Sequence, residues 1–423
     1  MKYVLYDILL HISVVALFPY FLFKMATARK YREGIPERFG FFARDKFAGL
    51  KRGPVVWIHA VSVGETKAIL PVLKLFRERH PEVKVLFSTV TMTGNRTASN
   101  DGKGLIDALI YFPFDISWVL KRVLRATNPV ALVVVEKEIW PNLFHQLRSS
   151  SVPVIVANGT ISDRSFRRYA RFSFIFRSVF EDISFFCART GADLEKAVKC
   201  GVDKDRVVLA GNLKFDLKPP APDPSYIVSL RKSLGIKETD MALVAGSTHP
   251  GEEEIVLRAY RECGITGLKL VIAPRHPERF SEVEAIIKRH GLKYSKRSTG
   301  GAEDVVLLDT VGELMTVYSF STVALVCGSL AEGIGGHNLL EPAYFSKPVV
   351  YGSHLTTYLN MAEMLEEAGG GVRAGDGELG AVLKRLFSDN GLRKELGEKA
   401  RKVVEENRGA AARTVEVMER FLR

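Results

Sequence analysis

Between residues 55 and 351, short apolar runs rich in Val, Ile and Leu recur at intervals that a helix can fill, and a cluster of prolines divides them into two sets. That alternation leaves few folds open. Aliphatic runs without polar interruption suit strands buried on both faces of a parallel sheet. The first set lies at 55–58, 83–87, 109–112, 130–135, 152–157, 185–188 and 207–210, and the second at 243–245, 268–273, 305–308, 323–327 and 349–351. Most gaps hold amphipathic stretches of helical length, such as 68–79 and 117–126, so each set predicts one doubly wound α/β sheet. KPPAPDPS at 218–225 carries four prolines and predicts a stiff, extended linker. Two Rossmann-like domains, 25–217 and 226–423, would then face a cleft at the carboxyl ends of both sheets, where such folds place ligands.

The first residues set a second constraint. Residues 3–23, YVLYDILLHISVVALFPYFLF, are almost continuously apolar and about long enough to cross a bilayer, although Asp7, His11 and Pro19 weaken a full crossing. No small-residue cleavage site follows, and Lys24, Arg29, Lys30 and Arg32 come next, which predicts a retained anchor over 1–24 with the body of the chain in the cytoplasm. The segment spans the membrane or lies in its interface. Cys187, Cys200, Cys263 and Cys327 show no CxxC spacing and read as reduced thiols, not a disulfide framework or a zinc site. A net charge of +12 suits nucleic acid, anionic lipid or a phosphorylated substrate, and the apolar start favours the last two.

Residues 323–352, VALVCGSLAEGIGGHNLLEPAYFSKPVVYG, predict a strand, a glycine loop, a helix and a strand. Gly328, Gly333, Gly335 and Gly336 leave main-chain N–H groups unshielded, and Asn338 stands in capping-box spacing with Glu341. A phosphate is expected at that helix start, with Glu341 accepting from a ribose; a tight structural turn with a self-capping helix is the alternative.

Other strand ends carry chemistry too. WIHAVSVGET places Glu65 at a helix start, where it serves either as a charge that supports the helix or as a general base. LVVVEKEIWP ends a strand with Glu136 and Glu138 at its carboxyl edge, and GNLKFD brings Lys214 close to the linker. In the second half, APRHPERF sets Arg275 and His276 after a strand, where the Arg fork suits phosphate, and VGEL offers backbone groups to a base. The one D-x-D pair, Asp203 and Asp205, falls at the amino end of a strand, so no catalytic metal is expected. Arg164, Arg167, Arg168 and Arg171 make a basic helical stripe interleaved with Phe166, Tyr169, Phe172, Phe174 and Phe176, suited to an anionic membrane surface or a phosphorylated lipid.

HAVSVGE, MTGN, EKEIWPN, IVANGTIS, GNLKFD, APRHPERF, GELM and GGHNLLEPA, in that order, resemble the signatures of the 3-deoxy-D-manno-octulosonic acid (Kdo) transferases of glycosyltransferase family 30. The resemblance covers nearly the whole chain beyond the anchor. It implies a glycosyltransferase-B fold, CMP-Kdo as donor with no further cofactor, and lipid IVA, the lipid A precursor, as acceptor in lipopolysaccharide core biosynthesis. An inverting, metal-independent reaction at the cytoplasmic side of the inner membrane is implied as well, with no nucleic-acid partner. By the same resemblance Glu65 matches the catalytic base, and Glu136 and Lys214 match residues of transition-state stabilisation. Arg275, His276, Gly312, Glu313, Leu314, Asn338, Leu339, Leu340 and Glu341 match the CMP-binding segments. Lys137 stands where relatives often carry a small polar residue. A sugar-nucleotide epimerase of the same two-domain fold and a non-catalytic, membrane-associated nucleotide sensor are the competing readings; the apolar start and the basic aromatic helix argue against the epimerase.

Overall fold

The computed structural model describes residues 2–27, 32–217 and 222–422, which form two compact units, Met1–Leu217 with Asn407–Arg423, and Lys218–Glu406. In the first unit seven parallel strands stand in the order β3-β2-β1-β4-β5-β6-β7. They are β1 (Val55–His59), β2 (Lys84–Thr89), β3 (Ala108–Tyr111), β4 (Pro129–Val135), β5 (Val154–Gly159), β6 (Phe185–Ala188) and β7 (Val207–Leu209). All seven coincide with predicted runs to within two residues. Because side chains alternate across a strand, Val56 and Ile58 enter one core with Ile69, Leu73 and Phe76 of the helix Val63–Arg79. Trp57 enters the other, with Leu143, Phe144 and Leu147 of the helix Pro141–Ser149. Both faces are therefore buried, and truncating one large member such as Phe76 to Ala would cost about 3–5 kcal/mol.

Residues 407–423 correct the expected domain boundary. The helix Ala410–Glu419 buries Ala410, Val415, Val417 and Met418 in the first unit's core beside Phe76. Asp216 caps its start, accepting from Gly409 N and Ala411 N at 2.7 Å each, and Arg413 Nε donates to Ala210 O at 2.7 Å. An amphipathic stripe declares that a helix face is buried but not which sheet buries it.

The second unit repeats the architecture, in the order β10-β11-β9-β8-β12-β13-β14 and again all parallel. Its strands are β8 (Ala242–Thr248), β9 (Lys269–Pro274), β10 (Tyr294–Lys296), β11 (Val305–Leu307), β12 (Val323–Val326), β13 (Val349–Tyr351) and β14 (Gly371–Arg373). The two edge strands, β10 and β14, were not predicted: each has three residues and at most one aliphatic side chain, too little for a period. The predicted linker is also shorter than expected. Residues 218–221 lie outside the described residues, and Asp223 already caps the helix Pro224–Ser233 through Ser225 N at 2.9 Å, with Pro224 at the first helical position where its missing N–H is harmless.

The predicted N-terminal helix is present as Lys2–Thr27, but among the described residues no helix is long and apolar enough to cross a membrane. The basic residues Arg29 and Lys30 lie outside the described residues. Of the positions that weakened the crossing, Asp7 is a docking point, and Tyr3 is another. Tyr3 Oη donates to Asp182 Oδ2 at 2.6 Å and its ring stacks on His145 at 3.9 Å, while Asp7 Oδ1 accepts from Ser117 N at 3.0 Å and Asn142 Nδ2 at 2.7 Å. Val4, Leu5, Ile8, Leu9, Ile12 and Val15 remain exposed.

Candidate active site

In the first unit β1 pairs with β4, His59 opposite Val134, and chain order reverses between them. Loops leaving the carboxyl ends at such a switch point diverge and open a crevice. The loop after β1 runs into the helix Val63–Arg79, whose N-cap is Ser62. Glu65 stands three residues on and folds back, accepting from Val61 N at 2.6 Å. The carboxyl group thus supports the helix start. It is only 6 % exposed, and burial, with Glu136 and Glu138 nearby, pushes its pKa up from 4.5 to about 7 against the Val61 hydrogen bond.

The loop after β4 begins with Glu136, held at φ 65°. A non-glycine residue in that region stores about 1–3 kcal/mol of strain, which persists where neighbours over-determine the turn. Here Glu136 N donates to Ala157 O at 2.9 Å, and Asn158 Nδ2 approaches Glu136 Oε1 at 3.4 Å. Asn158, itself at φ 54° and buried, also accepts from Leu213 N at 3.1 Å through Oδ1. That bond seats the turn Leu213–Asp216 and with it Lys214. Burial depresses the Lys214 ammonium and Arg189 adds to this, while Glu136 and Glu65 pull it back up. Glu65, Glu136 and Lys214, up to 149 positions apart in the chain, therefore share one electrostatic neighbourhood. Asn158 was missed as a site residue. Its one signal was an Asn-Gly pair at a strand end inside IVANGTIS.

In the second unit Arg275 and His276 follow β9, both exposed, with Arg275 N bonded to Thr248 O at 3.1 Å. Gly312 sits at φ 91° after β11 and leads into the helix Leu314–Ser319. The Glu313 carboxylate is engaged within the unit: Oε1 accepts from Tyr226 Oη at 2.6 Å and Arg297 Nη2 at 2.9 Å, and Oε2 from Arg297 Nε at 3.0 Å. Burial raises its pKa, but hydrogen bonds from Thr310, Tyr226 and Arg297 outweigh this and hold it below the usual carboxylate value. What the segment has left to offer is backbone. The helix expected at Asn338 is only the five residues Leu340–Tyr344, with Leu339 as the cap position. Asn338 Oδ1 still accepts from Leu340 N at 3.2 Å, and Asn338 Nδ2 reaches Glu341 Oε1 at 3.4 Å. So short a helix has little dipole, and an anion here has to be met mainly by side chains and loop N–H groups.

Two acids that follow β8, neither of them marked as a site residue, organise this edge. Glu252, fully buried, accepts from His249 N at 2.9 Å, Gly328 N at 2.7 Å and Leu330 N at 2.9 Å, tying the loop after β8 to the loop after β12. Glu253, equally buried, accepts from Thr248 Oγ1 at 2.7 Å and Arg279 Nη1 at 2.7 Å, tying in the loop after β9. The run GEEE carried no sign of this, because burial depends on what packs over it.

Among the described residues no group of His, Cys, Asp and Glu side chains is arranged to hold a metal ion. Asp203 Oδ1 accepts from Asp205 N at 3.0 Å and caps a short turn before β7, a structural use of the D-x-D pair. Arg164, Arg167, Arg168 and Arg171 are all exposed along the helix Asp163–Arg171, over a buried Tyr169 packed on Phe176 and Phe180 at 4.8 and 5.2 Å.

The profile of the 3-deoxy-D-manno-octulosonic-acid transferase family matches residues 33–217. A glycosyltransferase from Rickettsia africae is similar over 88% of this chain and 99% of its own, with TM-score 0.62 and 12% identity. A UDP-GlcNAc 2-epimerase from Neisseria meningitidis covers 87% and 99%, with TM-score 0.57 and 12% identity. Those two likenesses establish the two-unit α/β fold of glycosyltransferase-B type and nothing of the chemistry, since one fold serves a transferase and an epimerase. A 3-deoxy-D-manno-octulosonic acid transferase from Haemophilus influenzae, in contrast, is 32% identical over 402 residues, 93% of this chain and 92% of that one. The chain belongs to the 3-deoxy-D-manno-octulosonic acid transferase family and is an enzyme of that type.

Proposed function

We propose that this enzyme moves Kdo from CMP-Kdo to lipid IVA, with inversion and without a divalent metal, at the cytoplasmic side of the inner membrane. The observation that carries the reading is Glu65: a nearly buried carboxyl group beside Glu136 and Lys214 at a sheet's switch point, with a pKa of about 7. A base so poised is half ionised at neutral pH and still basic enough to take a proton from an acceptor hydroxyl. The deprotonating oxygen attacks the anomeric carbon of Kdo, the bond from that carbon to the phosphate oxygen breaks, and its electron pair leaves with CMP. Attack on the face opposite the leaving group inverts the centre, as in inverting glycoside chemistry. Lys214 and Glu136 stabilise the charge that develops, and Arg275 with His276 holds the phosphate, a cationic cradle that takes over the task of a metal ion. The exposed arginines of Asp163–Arg171 suit an acceptor bearing two phosphates. Exposed Phe172 and Phe174, and the apolar row on Lys2–Thr27, suit the lipid phase around it.

The test is transfer of labelled Kdo from CMP-Kdo to lipid IVA, run with and without a chelator, with the product's anomeric configuration read by NMR. Transfer with inversion and an unchanged rate under chelation is expected. Conversion of the nucleotide sugar with no acceptor present would instead favour the epimerase.

A further inference from the structure

Three loop ends of the second unit bring three imidazoles together. His249 follows β8, His276 follows β9, and His337 returns on the loop after β12; these strands are neighbours in the sheet. The Nε2 atoms of His249 and His337 lie 2.8 Å apart, with the rings stacked at 5.0 Å and 10°. The His276 ring meets His249 edge-on at 5.4 Å. The arrangement is built. The Glu252 carboxylate pins both histidine-bearing loops, and a Cβ at Gly328, at φ 83°, would strike His337 Cδ2 at 2.7 Å. Only glycine there lets the imidazole lie on the main chain.

Two facing Nε2 atoms at hydrogen-bond distance hold one proton between them. The neutral pair therefore has one ring donating Nε2–H to the other's lone pair, and the accepting ring carries its own proton on Nδ1. The groups around the pair are cations, one further imidazole and two carboxylates whose bonds are already committed. Arg275, His276 and Arg279 face it with positive or protonatable groups, Glu253 is spent on Arg279, and Glu252 on three main-chain N–H groups. Burial, with those cations, keeps both histidines below the ordinary imidazole value, His337 at about 4. The pair is thus neutral by itself, and chargeable where an anion offsets the surrounding cations.

We propose that His249 and His337 seat the phosphate of the nucleotide, and that the pair takes up one proton when the phosphate binds. This rests on the reading that the donor is a CMP sugar held by the second unit. On binding, the donating ring gains a proton from solvent at its free Nδ1, the shared proton stays between the two Nε2 atoms, and the imidazole–imidazolium pair donates through Nδ1–H to the phosphate oxygens beside Arg275.

The experiment is calorimetry of CMP binding to the full chain at pH 7.5, in buffers of different ionisation enthalpy; there CMP is nearly all dianion, its second pKa being about 6. Dependence of the observed heat on buffer ionisation gives the protons exchanged. An uptake approaching one proton is expected, and with it a Kd for CMP that rises up to tenfold from pH 7.5 to 8.5. Inorganic phosphate should show uptake of the same sign, lowered by the protons its own monoanion fraction releases, and cytidine none. In His249→Gln and in His337→Gln the uptake should vanish and the pH dependence flatten. CMP binding by the wild type with no proton uptake overturns the proposal without touching the nucleotide reading, and needs no variant to fold. Uptake that survives in both variants assigns the proton to His276 and also overturns it. Failure of CMP to bind at all removes the nucleotide reading and the dyad with it.

Discussion

Glu65→Gln should separate stability from turnover. In the folded chain the carboxyl pKa is raised from 4.5 to about 7, and at about 1.4 kcal/mol for each pH unit the ionised form costs the first unit up to about 3 kcal/mol. The sign follows from the direction. A raised folded-state pKa means that the folded state holds more protons between pH 4.5 and about 7, so the penalty is absent below that window, grows through it and is complete above it. Glutamine is never ionised, and its side-chain oxygen still accepts from Val61 N. The variant should therefore match the wild type near pH 4.5 and exceed it by about 1–3 kcal/mol at pH 8. All three tryptophans, Trp57, Trp118 and Trp140, lie in the first unit. Denaturant unfolding followed by tryptophan fluorescence at the two pH values reads that unit alone. At pH 8 the same variant should lose about a hundred- to ten-thousand-fold in kcat, while wild-type kcat/KM rises with pH to a plateau above about pH 7. An equal loss of stability at both pH values would make Glu65 only a helix support. Retained turnover, with turnover lost in Glu136→Gln instead, would move the base to Glu136.

Five further outcomes follow from the same geometry. Glu136→Gly relieves a residue held at φ 65°, so the first unit should hold or gain about 1 kcal/mol by tryptophan-monitored unfolding while Kdo transfer is lost. Asp216→Ala removes both acceptors at the start of Ala410–Glu419 and should destabilise the first unit by about 1–3 kcal/mol in the same assay. Arg275→Ala should weaken CMP binding by about 1–3 kcal/mol with stability unchanged. Arg279→Ala, which strands the buried Glu253, should destabilise the second unit by about 3–5 kcal/mol in calorimetric unfolding. Reversing Arg164 and Arg168 to Glu, both exposed on one helix, should raise the acceptor KM in a salt-sensitive way and leave CMP affinity alone.

Local chemistry is what the sequence carries by itself. A run such as VALV or ALVVV has no polar side chain to hydrate, so it is buried on both faces whatever surrounds it, and parallel pairing with helical crossovers follows. Ser62 and Thr91 each cap a helix through an N–H three residues on, a contact short enough to be read from spacing. The strand ends that carry Glu65, Glu136, Lys214 and Arg275 were legible for that reason, because the carboxyl end of each strand is known once the strand is. Tertiary structure decided the rest. The stripe on Ala410–Glu419 is buried by the first unit's sheet, and Asp7, which looked like a flaw in an apolar segment, caps Ser117–Thr127. GEEE hides two fully buried carboxylates, Glu313 is consumed by Arg297, and His249 meets His337 across 88 positions. Side-chain period tells which face leaves water. Which partner it meets there, and whether a polar group finds a bond or a ligand, is settled only when distant loops arrive at the same sheet edge.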